Sequence, residues 1–136
     1  PDAIETAIKS LRPHVFSRII AVIGAGGDRD QSKRPLMGLA ASQNADVVIV
    51  TDDNPRSEDP SKIRQMVLQG IDRGAVHEFG DRAEAILRAV DMLDPGDALL
   101  ICGKGHETGQ VIGDDILPFD DVEQASISVE ALDGVL

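Results

Sequence analysis

Residues 18–30 read RIIAVIGAGGDRD. Past Arg18 the run is apolar as far as Gly24 and rich in β-branched side chains, with no polar residue at alternate positions. A strand of that composition has both faces buried, as in a parallel sheet covered by helices. It ends in Gly24, Gly26 and Gly27, followed by Asp28, Arg29 and Asp30. The chain therefore leaves the strand through a loop whose backbone N–H groups are accessible to an anion, with Arg29, Lys33 and Arg34 beside them.

Upstream, Asp2-Ala3-Ile4-Glu5 pairs an N-cap residue with an acidic residue three places on, and Ile4, Ala7, Ile8 and Leu11 share a helical stripe that Pro13 ends. Downstream, a helix is expected to begin near Pro35, at its first helical position, and to carry Leu36, Met37, Leu39 and Ala40. ADVVIVT (45–51) is a second buried strand, stopped by the turn DDNPR (52–56). Asp59-Pro60 starts a helix with Ile63, Met66, Val67 and Gly70 on its apolar face. A short strand from Val76 to Phe79 follows. The capping pattern recurs at Asp81-Arg82-Ala83-Glu84, with Ile86, Leu87, Val90 and Leu93 behind it at helical spacing. After the turn at Pro95-Gly96, ALLIC (98–102) is a fourth buried strand. Val111-Ile112 and Ile116-Leu117, around Gly113-Asp114-Asp115, are expected to form a hairpin. Asp120 or Asp121 caps a last helix through Leu132. Strands alternating with helices make βαβ units. The expected fold is α/β, a mostly parallel sheet with helices on both faces and a C-terminal β-hairpin at its edge, as one domain over residues 1–136. Ligands bind such sheets beyond the carboxyl ends of the strands, where three polar loops leave at 24–34, 52–58 and 103–109.

With 136 residues the chain can bury one sizeable core. Its 24 acidic residues against 13 basic ones give a net charge of −11, which disfavours duplex nucleic acid and anionic membrane as partners. Three Phe and no Trp or Tyr leave little to stack bases on. Cys102 is the sole cysteine, so neither an intrachain disulfide nor a cysteine zinc cluster is available, and it reads as a packed thiol. With no membrane-length apolar run and no signal peptide, a cytoplasmic protein is expected. The chain opens at Pro1-Asp2 without Met, which points to a piece of a longer protein.

GAGGDRD invites a dinucleotide-binding reading, but Arg29 stands where the fingerprint needs its third glycine. In DDNPR, Pro55 fixes the backbone and Asn54 tolerates unusual turn angles. Arg56 then offers a planar fork for a carboxylate or phosphate. The alternative is a capped surface turn with Arg56 paired to Asp52, Asp53 or Glu58. GKGHE (103–107) has two glycines around Lys104 but neither the spacing nor the Ser/Thr of a P-loop. His106 and Glu107 have no second His or Cys at metal-ligand spacing, so His106 reads as structural, as do His14 and His77.

Together and in this order, GAGGDRDQSKRPLM (24–37), TDDNPR (51–56) and GKGHE (103–107) resemble the C-terminal domain of the Mur ligases. Within that family the likeness is to the branch that adds meso-diaminopimelate to UDP-N-acetylmuramoyl-L-alanyl-D-glutamate, and DNPR is its most specific part. The likeness runs from Pro1 to about Leu132. It implies a Rossmann-like domain, the third of a three-domain peptidoglycan-building enzyme whose N-terminal and central ATP-binding domains lie outside this chain.

The resemblance further implies a meso-diaminopimelate site built from Arg29, Asp53, Asn54, Pro55, Arg56, Gly103 and Glu107. Arg29 would hold a substrate carboxylate, Asn54 and Arg56 the distal amino-acid head, and Glu107 its ammonium. Asp28 matches a position near the ATP ribose. No catalytic residue and no metal ligand is expected within the chain. ATP and Mg2+ would be held mostly by the missing domains, and the chain alone would be inactive. Two alternatives are a lysine-adding relative and a non-catalytic nucleotide- or amino-acid-binding module.

Overall fold

The structure, a computed structural model, describes residues 2–102, 109–112 and 115–118. Its elements are α1 (Asp2–Leu11), a 3-10 turn (Arg12–His14), β1 (Ile19–Ile23), α2 (Lys33–Asn44), β2 (Val47–Val50), α3 (Pro60–Gln69), β3 (Ala75–Glu78), α4 (Arg82–Met92), β4 (Ala98–Ile101), β5 (Gly109–Ile112) and β6 (Asp115–Pro118). β1 to β4 form one all-parallel sheet in the order β3-β2-β1-β4. β5 and β6 pair antiparallel as a separate two-stranded sheet, and Asp115, expected in the turn, belongs to the second strand. The expected last helix, and the turn residues Gly113 and Asp114, lie outside the described residues.

Alternation along the central strands sorts the core into two layers. Ile19, Ala21 and Ile23 of β1 with Val48 and Val50 of β2 meet Ile4 and Ile8 of α1, Ala41 of α2, and Ile63 and Val67 of α3. The opposite face, Ile20, Val22, Val47 and Ile49, meets Ala85 and Ala89 of α4. β1 is buried at all five positions, as a strand with helices on both sides should be. β4 is only half-buried because, among the described strands, it is an edge.

Three local expectations change. α2 starts at Lys33, which puts Pro35 third in the helix. Its missing N–H costs nothing there, since first-turn amides have no partner inside the helix. Before α2, Asp30 makes the turn, its Oδ1 accepting from the Ser32 N–H at 3.0 Å and the Ser32 hydroxyl at 2.6 Å. On α4 the buried stripe is Arg82, Ala85, Ile86 and Ala89, while Leu87 is exposed. The two alanines let the helix lie close over the branched side chains of the sheet. Cys102 lies past the end of β4 and is half-buried, its N–H donating to the Val22 carbonyl at 2.8 Å.

The amino ends of the strands are tied by acids. Asp97 accepts from the Arg18 N–H at 2.9 Å and from its guanidinium at 2.7 and 3.1 Å, joining the starts of β1 and β4. Asp46 accepts from the Ile19 N–H at 2.8 Å and from Arg12 at 2.9 Å, joining β1 to β2. With register fixed at that end, the opposite ends of β1, β2 and β4 open side by side. The strand order reverses between β1 and β4, the position where parallel sheets place ligands.

Candidate functional site

The loop after β1 and the loop after β2 are knitted into one body. The Gly27 N–H donates to the Asn54 carbonyl at 2.7 Å. A Cβ on Gly27 would sit 1.8 Å from the Pro55 carbonyl oxygen, so the loops touch backbone to backbone at that point and only glycine fits. Asn54 is 4% exposed, and Pro55 is buried with it.

Among the described residues, Asp28 (φ 54°) and Arg56 (φ 52°) are the non-glycine residues with positive φ. Each left-handed backbone costs about 1–2 kcal/mol, which the surrounding contacts must offset. At Asp28 they do so through Ser57, whose hydroxyl donates to Oδ1 at 2.6 Å, and through Glu58, whose Oε1 accepts the Asp28 N–H at 2.7 Å. At Arg56, Nη1 donates to the Gly27 carbonyl at 3.0 Å and the Asn54 carbonyl at 3.4 Å.

Arg29 and Arg56 come together although 27 positions separate them in sequence: an ideal Cβ at Gly26 lies 3.0 Å from Arg56 Nη1 and 3.5 Å from Arg29 Cγ. The alternative of a carboxylate-paired Arg56 does not hold among the described residues. Glu58 pairs with Arg34, and Asp52 pairs with Arg64 at 2.6 Å. Arg56 is held by neutral carbonyls, which orient its guanidinium without cancelling its charge. Arg29 is exposed and donates to the Asp28 carbonyl at 3.2 Å. A cavity of about 310 Å³ lies beside Arg29, lined by Ala25, Gly26, Arg29, Asp30, Lys33, Arg34 and Met37; Arg56 is not part of its lining. Two oriented guanidinium groups and an exposed lysine at a strand-end crevice are equipped to hold a carboxylate or phosphate.

Two buried arginines hold the loops and strands: Arg34, expected as a free cation beside the glycine loop but buried and paired instead, and Arg82, to which the motifs give no role. Arg34, 1% exposed, grips both oxygens of Glu58 at 2.8 and 2.9 Å and donates to the Gly26 carbonyl at 3.0 Å. That bidentate bond, with the Asp28 N–H, holds the Glu58 carboxyl at about 2, well below its ordinary 4.5. Arg82, also 1% exposed, donates to the Asp52 carbonyl at 3.1 Å and the Cys102 carbonyl at 3.2 Å, so it bridges the carboxyl ends of β2 and β4 across β1. Burial pushes the Asp52 carboxyl up, and the Arg64 guanidinium opposes it. Both arginines could have been suspected from their place in the first turns of helices that follow strand-end loops. Nothing in their spacing names their partners.

Of the expected site residues, Asp28, Arg29, Asp53, Asn54, Pro55 and Arg56 lie in this two-loop body. Gly103 and Glu107, with Lys104 and His106, lie outside the described residues. Cys102, immediately before them, is bonded beside the carboxyl end of β1. Among the described residues no group of three His, Cys, Asp or Glu side chains could hold a metal ion, and no helix is long and apolar enough to cross a membrane.

A family profile described as "Mur ligase, glutamate ligase domain" matches residues 1–105. The chain is 54% identical over 129 residues to the UDP-N-acetylmuramoyl-L-alanyl-D-glutamate–2,6-diaminopimelate ligase of Bradyrhizobium diazoefficiens, a match covering 95% of this chain and 26% of the relative. Against the protein of the same name in Agrobacterium fabrum, identity is 54% over 134 residues, covering 98% and 27%. A solved structure of a ligase of that name superposes with a TM-score of 0.94 at 44% identity, covering 98% of this chain and 28% of the other. The chain thus spans about a quarter of the length of these relatives.

Proposed function

The chain belongs to the Mur ligase family, and from that membership we propose that it is the C-terminal, amino-acid-presenting domain of a three-domain ATP-dependent ligase. The proposed reaction adds meso-diaminopimelate to UDP-N-acetylmuramoyl-L-alanyl-D-glutamate in peptidoglycan synthesis, in the cytoplasm. The observation that carries this reading is the pairing of Arg29 and Arg56 around Gly26, with Arg56 oriented by carbonyls and left charged.

Meso-diaminopimelate has two carboxylates and two amines, one of them the nucleophile. In the proposed reaction the D-glutamyl side-chain carboxylate takes the γ-phosphoryl group of ATP, giving an acyl phosphate and ADP. The amine attacks its carbonyl carbon, a C–N bond forms, the amine loses a proton and inorganic phosphate leaves. This chain's part is to hold the amino acid so that the amine faces the acyl carbon, which removes orientational freedom before the chemical step. Arg56 takes the distal carboxylate through its fork, with Asn54, Asp53 and Pro55 shaping the loop around it. Arg29 takes the second carboxylate. Gly103 and Glu107 are proposed to complete the cage, Glu107 facing the distal ammonium, since a buried zwitterion needs partners of both signs. Asp28 is proposed to lie toward the nucleotide ribose. ATP and Mg2+ would be held mainly by the rest of the enzyme.

Lysine tests the reading, because it has the same chain length between its amine-bearing carbons but no distal carboxylate. Each charged hydrogen bond contributes about 1.5–3 kcal/mol, so a fork left empty by lysine should disfavour it by roughly a hundredfold or more. In the complete enzyme, Arg56→Ala should collapse the ratio of kcat/KM for diaminopimelate over lysine, and Arg56→Lys should not restore it. A wild-type ratio in Arg56→Ala would refute the assignment.

A further inference from the structure

The glycine loop carries Arg29 and the next loop carries Arg56, so the site's geometry depends on what fixes one loop against the other. Glu58 sits at that junction. Its Oε1 accepts the Asp28 N–H at 2.7 Å, and its two oxygens accept from Arg34 at 2.8 and 2.9 Å. Arg34 in turn donates to the Gly26 carbonyl at 3.0 Å, and its side chain is 2% exposed against 22% for that of Glu58. One carboxylate, two residues past Arg56, therefore reaches the residue just before Arg29 directly and the glycine two before that through Arg34. The neighbouring Ser57 hydroxyl adds a second tie, to Asp28 Oδ1 at 2.6 Å. Asp28 has a left-handed backbone, so without these ties its ordinary backbone wells would swing Arg29 away.

We propose that Glu58, acting through Arg34 and Asp28, is a positioning residue that sets the spacing of Arg29 and Arg56 and so the affinity for the incoming diamino acid. Glu58 touches no substrate in this arrangement. The inference rests on the diaminopimelate reading of the site.

The test is steady-state kinetics of the complete enzyme with Glu58→Gln and Ser57→Ala, Arg56→Ala being measured in parallel. Misplacing a binding group by about an ångström can cost up to about a hundredfold. Glu58→Gln should raise KM for diaminopimelate roughly tenfold or more, and more than it lowers kcat, with KM for ATP and for the UDP-dipeptide unchanged. Ser57 is exposed, so Ser57→Ala will fold and should raise the same KM about two- to threefold. A purely structural pair would instead lower the active fraction, reducing apparent kcat with every KM unchanged.

Unchanged KM for diaminopimelate in both variants, beside a collapsed ratio in Arg56→Ala, overturns the positioning role alone. An unchanged ratio in Arg56→Ala overturns the diaminopimelate reading, and the positioning role with it. If Glu58→Gln fails to fold, Ser57→Ala decides: a raised KM supports the role and an unchanged one overturns it.

Discussion

Replacing Gly27 with alanine attacks the one point where the two site loops touch backbone to backbone. Gly27 is not among the glycines with positive φ, so alanine brings no conformational strain and the effect is steric. The new Cβ would lie 1.8 Å from the Pro55 carbonyl oxygen, and real Cβ atoms essentially never come within 3.0 Å of another atom. The obstacle is backbone and cannot rotate away, so the loops must part by more than an ångström. That breaks the 2.7 Å bond from the Gly27 N–H to the Asn54 carbonyl and withdraws the Gly27 carbonyl from Arg56. Overpacking costs about 1–3 kcal/mol and the lost hydrogen bond about 1, for a destabilisation of about 2–4 kcal/mol. Urea unfolding of wild type and variant measures it as a lower midpoint at constant slope. If the proposed site is right, amino-acid affinity falls in parallel, because Arg29 and Arg56 ride on the separated loops. A loss below about 0.5 kcal/mol, the range of an ordinary surface substitution, would show that the loops do not meet as described.

Three further outcomes can be measured. The folded-state Glu58 carboxyl titrates at about 2 against an ordinary 4.5, so its contribution is complete above roughly pH 5.5 and drains away as pH falls through 4.5 toward 2. The gap in unfolding midpoint between wild type and Glu58→Gln should therefore be flat from pH 8 to 6, shrink to roughly a quarter by pH 2.5 and close only below pH 2; a gap that widens on acidification would contradict the pairing with Arg34. Arg82→Ala leaves two strand-end carbonyls without their donor and should cost about 2–4 kcal/mol by chemical denaturation, whereas a loss under about 1 would deny the bridge. On α4, Leu87→Lys should shift stability by less than about 0.5 kcal/mol and Ala89→Leu should lower it by about 1–3, and the reverse ranking would mean the wrong helix face is against the sheet.

Much of the architecture was legible in the chain. The apolar runs at 19–23 and 47–50, short, β-branched and ended by glycine or turn residues, read as doubly covered strands, and the Asp59 and Asp81 caps announce α3 and α4, where each side chain accepts a backbone N–H two residues on. These signals are local: periodicity, capping and turn chemistry act within a few residues. On α4 the expected Ile86 is buried and Leu93 packs toward the sheet, but Leu87 is exposed: bulk favours it in the sequence, whereas the room over the sheet selects Ala85 and Ala89. Motif chemistry marked Arg29 and Arg56 as candidates but left Arg56 with three acidic suitors. Only the folded chain decided among them, giving Glu58 to Arg34 and Asp52 to Arg64, and leaving Arg56 to carbonyls. Likewise Arg34, which reads as a cation for an anion at the glycine loop, and Arg82, which reads as an ordinary helix-start residue, tie loop to loop and β2 to β4 once the strands lie side by side. Which carboxylate meets which guanidinium depends on distances set by register and packing between segments tens of residues apart. No local pattern in the sequence encodes such a distance.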